Sequence, residues 1–329
     1  MKILKILGFI LAVIVLLIII GISYVKVSLP NVGDAPQMKV QTTPELLERG
    51  AYLANSVTVC MDCHSQRDWS KFSGPLVSGT FGQGGEVFDH NFGFPGSFTA
   101  KNITPSGIGQ WTDGELYRLI TTGVTKSGDP IFPIMPYGSY GKMAHEDVVS
   151  IIAYIRSLQP LENEVAASEA DFPMSVILHT IPQPANPQPK PNPEDQLAAG
   201  EYLVTIAACG DCHTPQTAKG ERIMDLYMAG GFEFKMPGFG VVRSANITPD
   251  PANGIGAWNE DFFVKRFKAY TDSTYTPHAV SSGEMQTVMP WTMYGSMTEE
   301  DLRAIFAYLS SLDPNPNKVE KFTPESVAM

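Results

Sequence analysis

A five-residue pattern occurs twice in this chain. Cys60-Met61-Asp62-Cys63-His64 returns as Cys209-Gly210-Asp211-Cys212-His213. At C-x-x-C-H spacing, two thiols can add to the two vinyl groups of one porphyrin, and the adjacent histidine then lies under the ring and ligates its iron. The chain has four cysteines, and two such sites use all four, leaving none for a disulfide. A redox dithiol needs a βαβ context, which is not visible here. A shared zinc site needs its two pairs much closer in sequence and gives no reason for a histidine after each pair. The expectation is two covalently bound haem c groups, one on Cys60 and Cys63 and one on Cys209 and Cys212, with His64 and His213 as iron ligands.

The repeat extends well beyond the motif, and repeats bear on the fold before any other pattern does. Thr43-Pro44-Glu45 before the first motif matches Asn192-Pro193-Glu194 before the second. Each reads as a helix start, with an N-cap residue followed by proline at the first helical position. Gly50-Ala51-Tyr52-Leu53 matches Gly200-Glu201-Tyr202-Leu203. Downstream, Gly84-Gly85 matches Gly230-Gly231, and Asn102-Ile103-Thr104-Pro105 matches Asn246-Ile247-Thr248-Pro249. Gly-Ile-Gly-x-Trp then ends at Trp111 and at Trp258. Middle helices are expected from about Thr112 and Asn259. Closing helices follow, with helical spacing of Val148, Ile151, Ile152 and Ile155 and of Leu302, Ile305, Phe306 and Leu309.

A second axial ligand is expected on a loop shortly before each closing helix. Met135-Pro136 and Met289-Pro290 stand there in both repeats, and a thioether opposite histidine raises the reduction potential. Met143 and Met297 also match but fall at the helix entry, where an apolar packing residue is expected. Among the remaining histidines only His278 competes as a ligand; it lies in a stretch, 270–286, longer than its counterpart. Trp111 and Trp258 are candidate haem contacts through the ring and the indole N–H. Arg118 and Lys265, seven residues after them, are weaker candidates for the propionates. Arg67 has no basic counterpart, since Gln216 stands in its place.

Lys2 and Lys5 precede an uncharged apolar run, 6–25, and Lys26 follows it. About 20 apolar residues span a bilayer, which is too long for a signal-peptide core, and no A-x-A cleavage pattern follows. The run is expected to be an uncleaved anchor with its lysines in the cytoplasm and the rest of the chain on the periplasmic side of the inner membrane; cleavage with secretion is the alternative. The formal net charge of −11 excludes a nucleic-acid partner and permits a basic redox partner. Residues 182–193 carry six prolines and read as a stiff spacer.

The order of elements matches the small all-α cytochrome c domain. The expected fold is all-α, with two tandem cytochrome c-like domains with long loops and an N-terminal transmembrane helix. Its parts are the anchor 1–26, domain 1 at 40–160, a partly docked linker 161–191, domain 2 at 192–315 and a tail 316–329. The combination of C-x-x-C-H, G-G-E-V-F at 84–88, N-I-T-P with G-I-G-x-W, and Met135-Pro136-Tyr137 resembles the cytochrome c subunits of membrane-bound alcohol and gluconate dehydrogenases. The resemblance covers roughly residues 43–313. It implies an electron relay from a partner dehydrogenase toward a cytochrome or oxidase of the respiratory chain, with no catalytic residues of its own. Those subunits usually carry three haems, whereas this chain has two motifs, and its second Met loop reads Met289-Pro290-Trp291. The alternative is a dihaem peroxidase, which needs one iron with an open position; a matched methionine in both repeats argues against it.

Overall fold

The computed structural model describes residues 2–217 and 220–325. Parts of the expected anchor (residue 1), second domain (218–219) and tail (326–329) therefore lie outside the described residues. A 27-residue helix, Lys2–Ser28, comes first and meets the length and apolarity needed to cross a membrane. A signal sequence near an N-terminus passes the same test.

Each repeat is then built from the same helices in the same order. In the first they are the opening helix Pro44–Tyr52, a turn at Cys60–Cys63, the middle helix Asp113–Thr122 and the closing helix His145–Ser157. In the second they are Gln196–Ile206, Cys209–His213, Glu260–Lys268 and Glu299–Ser311. Thr112 and Asn259 cap the middle helices as expected, Thr112 through a full capping box with Glu115. Thr43 caps the first opening helix with Pro44 behind it. The second opening helix starts three residues later than expected. Asn192 turns its side chain onto the Glu194 N–H, so Asp195 becomes the cap.

Opening and closing helices cross closely in both repeats. A Cβ at Gly50 would stand 1.9 Å from the Ser150 carbonyl oxygen, and one at Gly200 would stand 2.0 Å from that of Ala304. Only glycine permits this approach. The first repeat carries one more residue than the second between this glycine and its first cysteine. The extra residue is absorbed as a π-helical turn, Leu53–Val57, where the second repeat stays α-helical.

The glycine-rich loops are not entirely coil. β1 (Val87–Phe88), β2 (Gly96–Thr99) and β3 (Glu169–Ala170) form one small antiparallel sheet. β4 (Glu233–Met236), β5 (Gly240–Arg243) and β6 (Phe322–Pro324) form another. In both, the third strand follows the closing helix and returns to the loop hairpin. Linker and tail thus each begin as part of their own repeat, past the boundaries expected at 160 and 315. Further on, the linker lies against the first repeat, with Asn186 and Gln188 N–H groups donating to the carbonyls of Gly141 and Lys142.

The buried apolar side chains of both repeats form one continuous cluster, which includes Met143 and Met297 as expected. Hydrogen bonds cross between the repeats in reciprocal fashion. The Tyr52 hydroxyl donates to Asp301 at 2.5 Å, and its counterpart Tyr202 donates to Asp147 at 2.7 Å, each at the start of the other repeat's closing helix. Alanine at position 50 or 200 should cost about 1–3 kcal/mol through overpacking of the helix crossing. Urea titration of each variant should show similar losses; an unchanged midpoint would contradict the crossing.

Candidate functional site

The residue before each motif is left-handed: Val59 at φ 45° and Ala208 at φ 54°. For β-branched Val59 this is a strained conformation, and strain of this kind persists where the surroundings impose it and gathers at functional sites. It lets each motif fold back into a turn, with the Asp62 N–H donating to the Val59 carbonyl and the Asp211 N–H to that of Ala208, both at 3.0 Å.

Both histidines are held by one ring nitrogen. His64 Nδ1 lies 2.6 Å from the Lys101 carbonyl oxygen, and His213 Nδ1 lies 2.7 Å from that of Ala245. A carbonyl only accepts, so Nδ1 carries the proton in each ring and Nε2 keeps a free lone pair. Burial depresses both imidazoles against the opposing pull of that hydrogen bond and so keeps them neutral. Both rings are nevertheless half exposed, as are Cys60, Cys63 and Cys209, while Cys212 is exposed. Burial pushes the Cys63 and Cys209 thiols up to about 12, which is the reverse of a reactive redox dithiol.

The Asn-Ile-Thr-Pro segments explain how the carbonyls are placed. Asn102 Oδ1 accepts from the Thr104 N–H and hydroxyl, and its Nδ2 donates to the Leu161 carbonyl. Asn246 and Thr248 repeat the arrangement, with the carbonyls of Asn315 and Asn317 receiving the amide. Each carbonyl that holds a histidine is therefore tied to the chain leaving its own closing helix. Gly84 and Gly230 brace it from the other side: their N–H groups donate to the carbonyls of His64 and His213 at 2.8 Å. At φ +72° and +71° they also stand where a Cβ would strike the backbone at 100–102 and 245–246.

The two Met-Pro loops share a conformation. Pro136 has φ −78°, ψ 54° and Pro290 has φ −81°, ψ 66°, the inverse γ-turn. The N–H groups of Tyr137 and Trp291 close these turns on the carbonyls of Met135 and Met289 at 2.8 Å. Both methionines are half buried against the core. The helical turn after each loop carries a buried tyrosine, Tyr140 or Tyr294. Tyr140 donates to the Thr58 carbonyl at 2.7 Å and Tyr294 to that of Ala207 at 2.8 Å, two residues before each motif. Burial holds both phenols far above their ordinary range, and Tyr294 also senses Asp62 and Cys63 of the other repeat. Ser139, in the same turn as Tyr140, donates to Asp211 of the second motif at 3.0 Å, so the two motifs face a common boundary.

Trp111 and Trp258 are half buried against the core; Lys126 lies over the first ring and Phe262 packs edge-on to the second. Arg118 and Tyr137 each leave a buried polar atom, Nε and Oη, without a partner. In the second repeat Lys265 points to solvent. Arg266, one residue and about 100° further round the helix, lies over Trp291 instead. Arg67 pairs with Asp62 at 2.8 Å, and its missing counterpart is supplied from elsewhere: Arg222, across a β-bridge from Gln216, pairs with Asp211. His278 is stacked on Phe72 of the first repeat at 4.9 Å. Its long segment, 270–286, serves that contact. Gln286 binds the backbone of Trp69, Lys71 and Ser73, and the Ser73 hydroxyl donates to the Met289 carbonyl at 2.5 Å. Neither Ser73 nor Gln286 follows the repeat, so the sequence carried no signal for them.

A cytochrome c family model matches residues 197–313. The chain is 31% identical over 261 residues to a dihaem cytochrome c-type protein of Cereibacter sphaeroides, covering 76% of this chain and 80% of that one. It is 30% identical over 307 residues to the cytochrome c subunit of a quinone-dependent alcohol dehydrogenase of Gluconacetobacter polyoxogenes, covering 88% of this chain and 61% of that one. The cytochrome c subunit of gluconate 2-dehydrogenase of Pantoea cypripedii is 28% identical over 301 residues, covering 87% and 64%. The chain thus spans less than two thirds of the length of these two dehydrogenase subunits. It belongs to the c-type cytochromes, electron-transfer proteins that carry covalently bound haem c.

Phenylalanine at 140 or at 294 keeps the ring and leaves a buried carbonyl unpaired, at a cost of about 1–3 kcal/mol. Thermal or urea unfolding should show comparable losses for the two variants; a loss at one position alone would contradict their equivalence.

Proposed function

We propose that this chain is a membrane-anchored dihaem cytochrome c that relays electrons from a periplasmic dehydrogenase toward the respiratory chain. The observation that carries this reading is the duplication of the whole site, from strained N-cap to γ-turn, in two copies with one chemistry. Two tandem cytochrome c-like domains are the simplest account of it.

Cys60 and Cys63 would hold one haem and Cys209 and Cys212 the other, with Nε2 of His64 and His213 free to ligate iron. Met135 and Met289, on loops stiffened by proline, would supply thioether ligands to the two irons. Trp111 and Trp258 would pack beside the haem rings. The unpaired Arg118 Nε and Tyr137 Oη suit the propionates of the first haem. When bound, the haem supplies a reversible one-electron couple between ferric and ferrous iron. The protein's part is to fix the histidine tautomer, restrict water and hold both sites in one core. With a methionine on a matched turn in each repeat, neither iron would keep the open position that peroxidase chemistry needs.

The names of the dehydrogenase subunits support a dehydrogenase as donor; a cytochrome or an oxidase would be the acceptor. The helix Lys2–Ser28 would hold the relay at the inner membrane, with the haem sites on the periplasmic side. A net charge of −11 favours a basic partner, with a transfer rate that falls as salt is added.

The oxidised protein should show the weak near-infrared sulfur-to-iron band. Met135→Ala and Met289→Ala should each remove about half of it, since the two sites are equal in this reading. The same protein, reduced, should pass electrons rapidly to an oxidised cytochrome and turn over hydrogen peroxide poorly. An unchanged band in both variants would refute the ligand assignment. Saturable peroxide turnover without transfer to the cytochrome would refute the relay.

A further inference from the structure

The segment after β3 carries apolar side chains that the haem sites do not use. Phe172 is 75% exposed, more than any other large hydrophobic residue among the described residues outside the N-terminal helix, and Ile177 is 43% exposed. Phe172 stands just before the short helix Met174–Ile177, which Ile177 ends and which continues into a 3-10 turn, Leu178–Thr180. Leu178 is buried, so the segment is fastened to the body while Phe172 and Ile177 face outward. Elsewhere on the body an exposed aromatic would be an isolated residue needing no explanation. Its position here gives it one.

Both the short helix and the 3-10 turn contact the N-terminal helix. The contact is confined to that helix's end. Every described residue before Ile22 is exposed, and Ile22 and Val25, one turn apart, are the only half-covered ones. His179 Nδ1 donates to the Leu29 carbonyl at 3.0 Å, just past the last helical turn. Asp171, at the edge of the segment, has its carboxylate hydrogen-bonded by His90 at 2.7 Å. Tyr24, 65% exposed, and Lys26 stand at the same level, the residue types that mark a membrane–water boundary.

We infer that Phe172 and Ile177 dock into the outer face of the bilayer beside the exit of the N-terminal helix, as a second, interfacial membrane contact. The inference rests on that helix being an anchor. A single spanning helix joined by a flexible chain would leave the body free to tumble. The His179–Leu29 bond and the buried apolar contact instead set the segment at the height of the lipid headgroups, where partly inserted apolar side chains are favourable. The haem body then has one preferred face toward the membrane and presents a defined surface to its redox partners.

The test places the photoreactive residue p-benzoylphenylalanine singly at positions 172, 16 and 87 of the full haem-loaded chain in native membranes. Position 16 lies in the N-terminal helix; Val87, 41% exposed, lies on the body. Equal haem content in the three variants establishes that each has folded. After irradiation, position 172 should give lipid adducts several-fold above position 87, approaching position 16. Labelling at 16 with none above background at 172 would overturn the docking and leave the anchor standing. A protein adduct at 172, seen as a gel shift, would overturn it in favour of a partner subunit. Absence of lipid adducts at both 16 and 172 would overturn the anchor, and the docking with it.

Discussion

The structure depends on one hydrogen bond made twice, from a histidine Nδ1 to a backbone carbonyl that the following Asn-Ile-Thr-Pro segment holds in place. The motif supplies an imidazole, but its orientation comes from residues about forty positions downstream in the first repeat and thirty in the second. Asn102 and Asn246 anchor those segments to the chain beyond the closing helices, so the histidine, the loop and the end of the repeat are mechanically one unit. Gly84 and Gly230 stand in contact with the same stretch, which is why the glycine pair recurs where sheet or helix would not demand it. A hydrogen bond at Nδ1 also makes the imidazole a stronger donor to a metal, so the same contact bears on potential as well as geometry.

Between the repeats the logic is reciprocity. Tyr52 and Tyr202 exchange hydrogen bonds with Asp301 and Asp147, and Tyr140 and Tyr294 sit at the boundary shared by both motifs. A bond of this kind is worth about 1 kcal/mol net, so the phenols do not hold the halves together alone. The continuous apolar core does that, and the phenols select the register. On this frame the two copies differ only locally. One has a π-turn where the other is α-helical, and Arg222 does in the second what Arg67 does in the first. Such substitutions preserve the ion pair beside each motif while changing its route.

Much of this was legible in the sequence. The motif pair, the glycine doublets, the caps at Thr43, Thr112 and Asn259, the closing helices and the Met-Pro loops are local signals, and a repeat doubles the weight of each. The structure places Met143 and Met297 in the core and Met135 and Met289 on twin turns, as the spacing implied. The signals that failed were non-local. Lys265 looked equivalent to Arg118 by counting, but one position on a helix turns a side chain away, and Arg266 faces the loop. Gln216 looked like a lost charge because strand pairing, which brings Arg222 opposite it, is invisible in a linear comparison. The long segment 270–286 read only as extra length, yet that length is what carries His278 and Gln286 across to Phe72 and Ser73 of the other repeat. Small strands closing each repeat were missed because two-residue ladders have no periodicity to detect.

The central claim is that the duplicated site is duplicated in chemistry. The most direct measurement is the ratio of haem to protein in the purified full-length chain, with haem taken from the pyridine haemochrome spectrum and protein from amino-acid analysis. Two haems per chain is the predicted result. One haem per chain would contradict it, because a single occupied site would make the second motif, its histidine and its Met-Pro turn a structural relic.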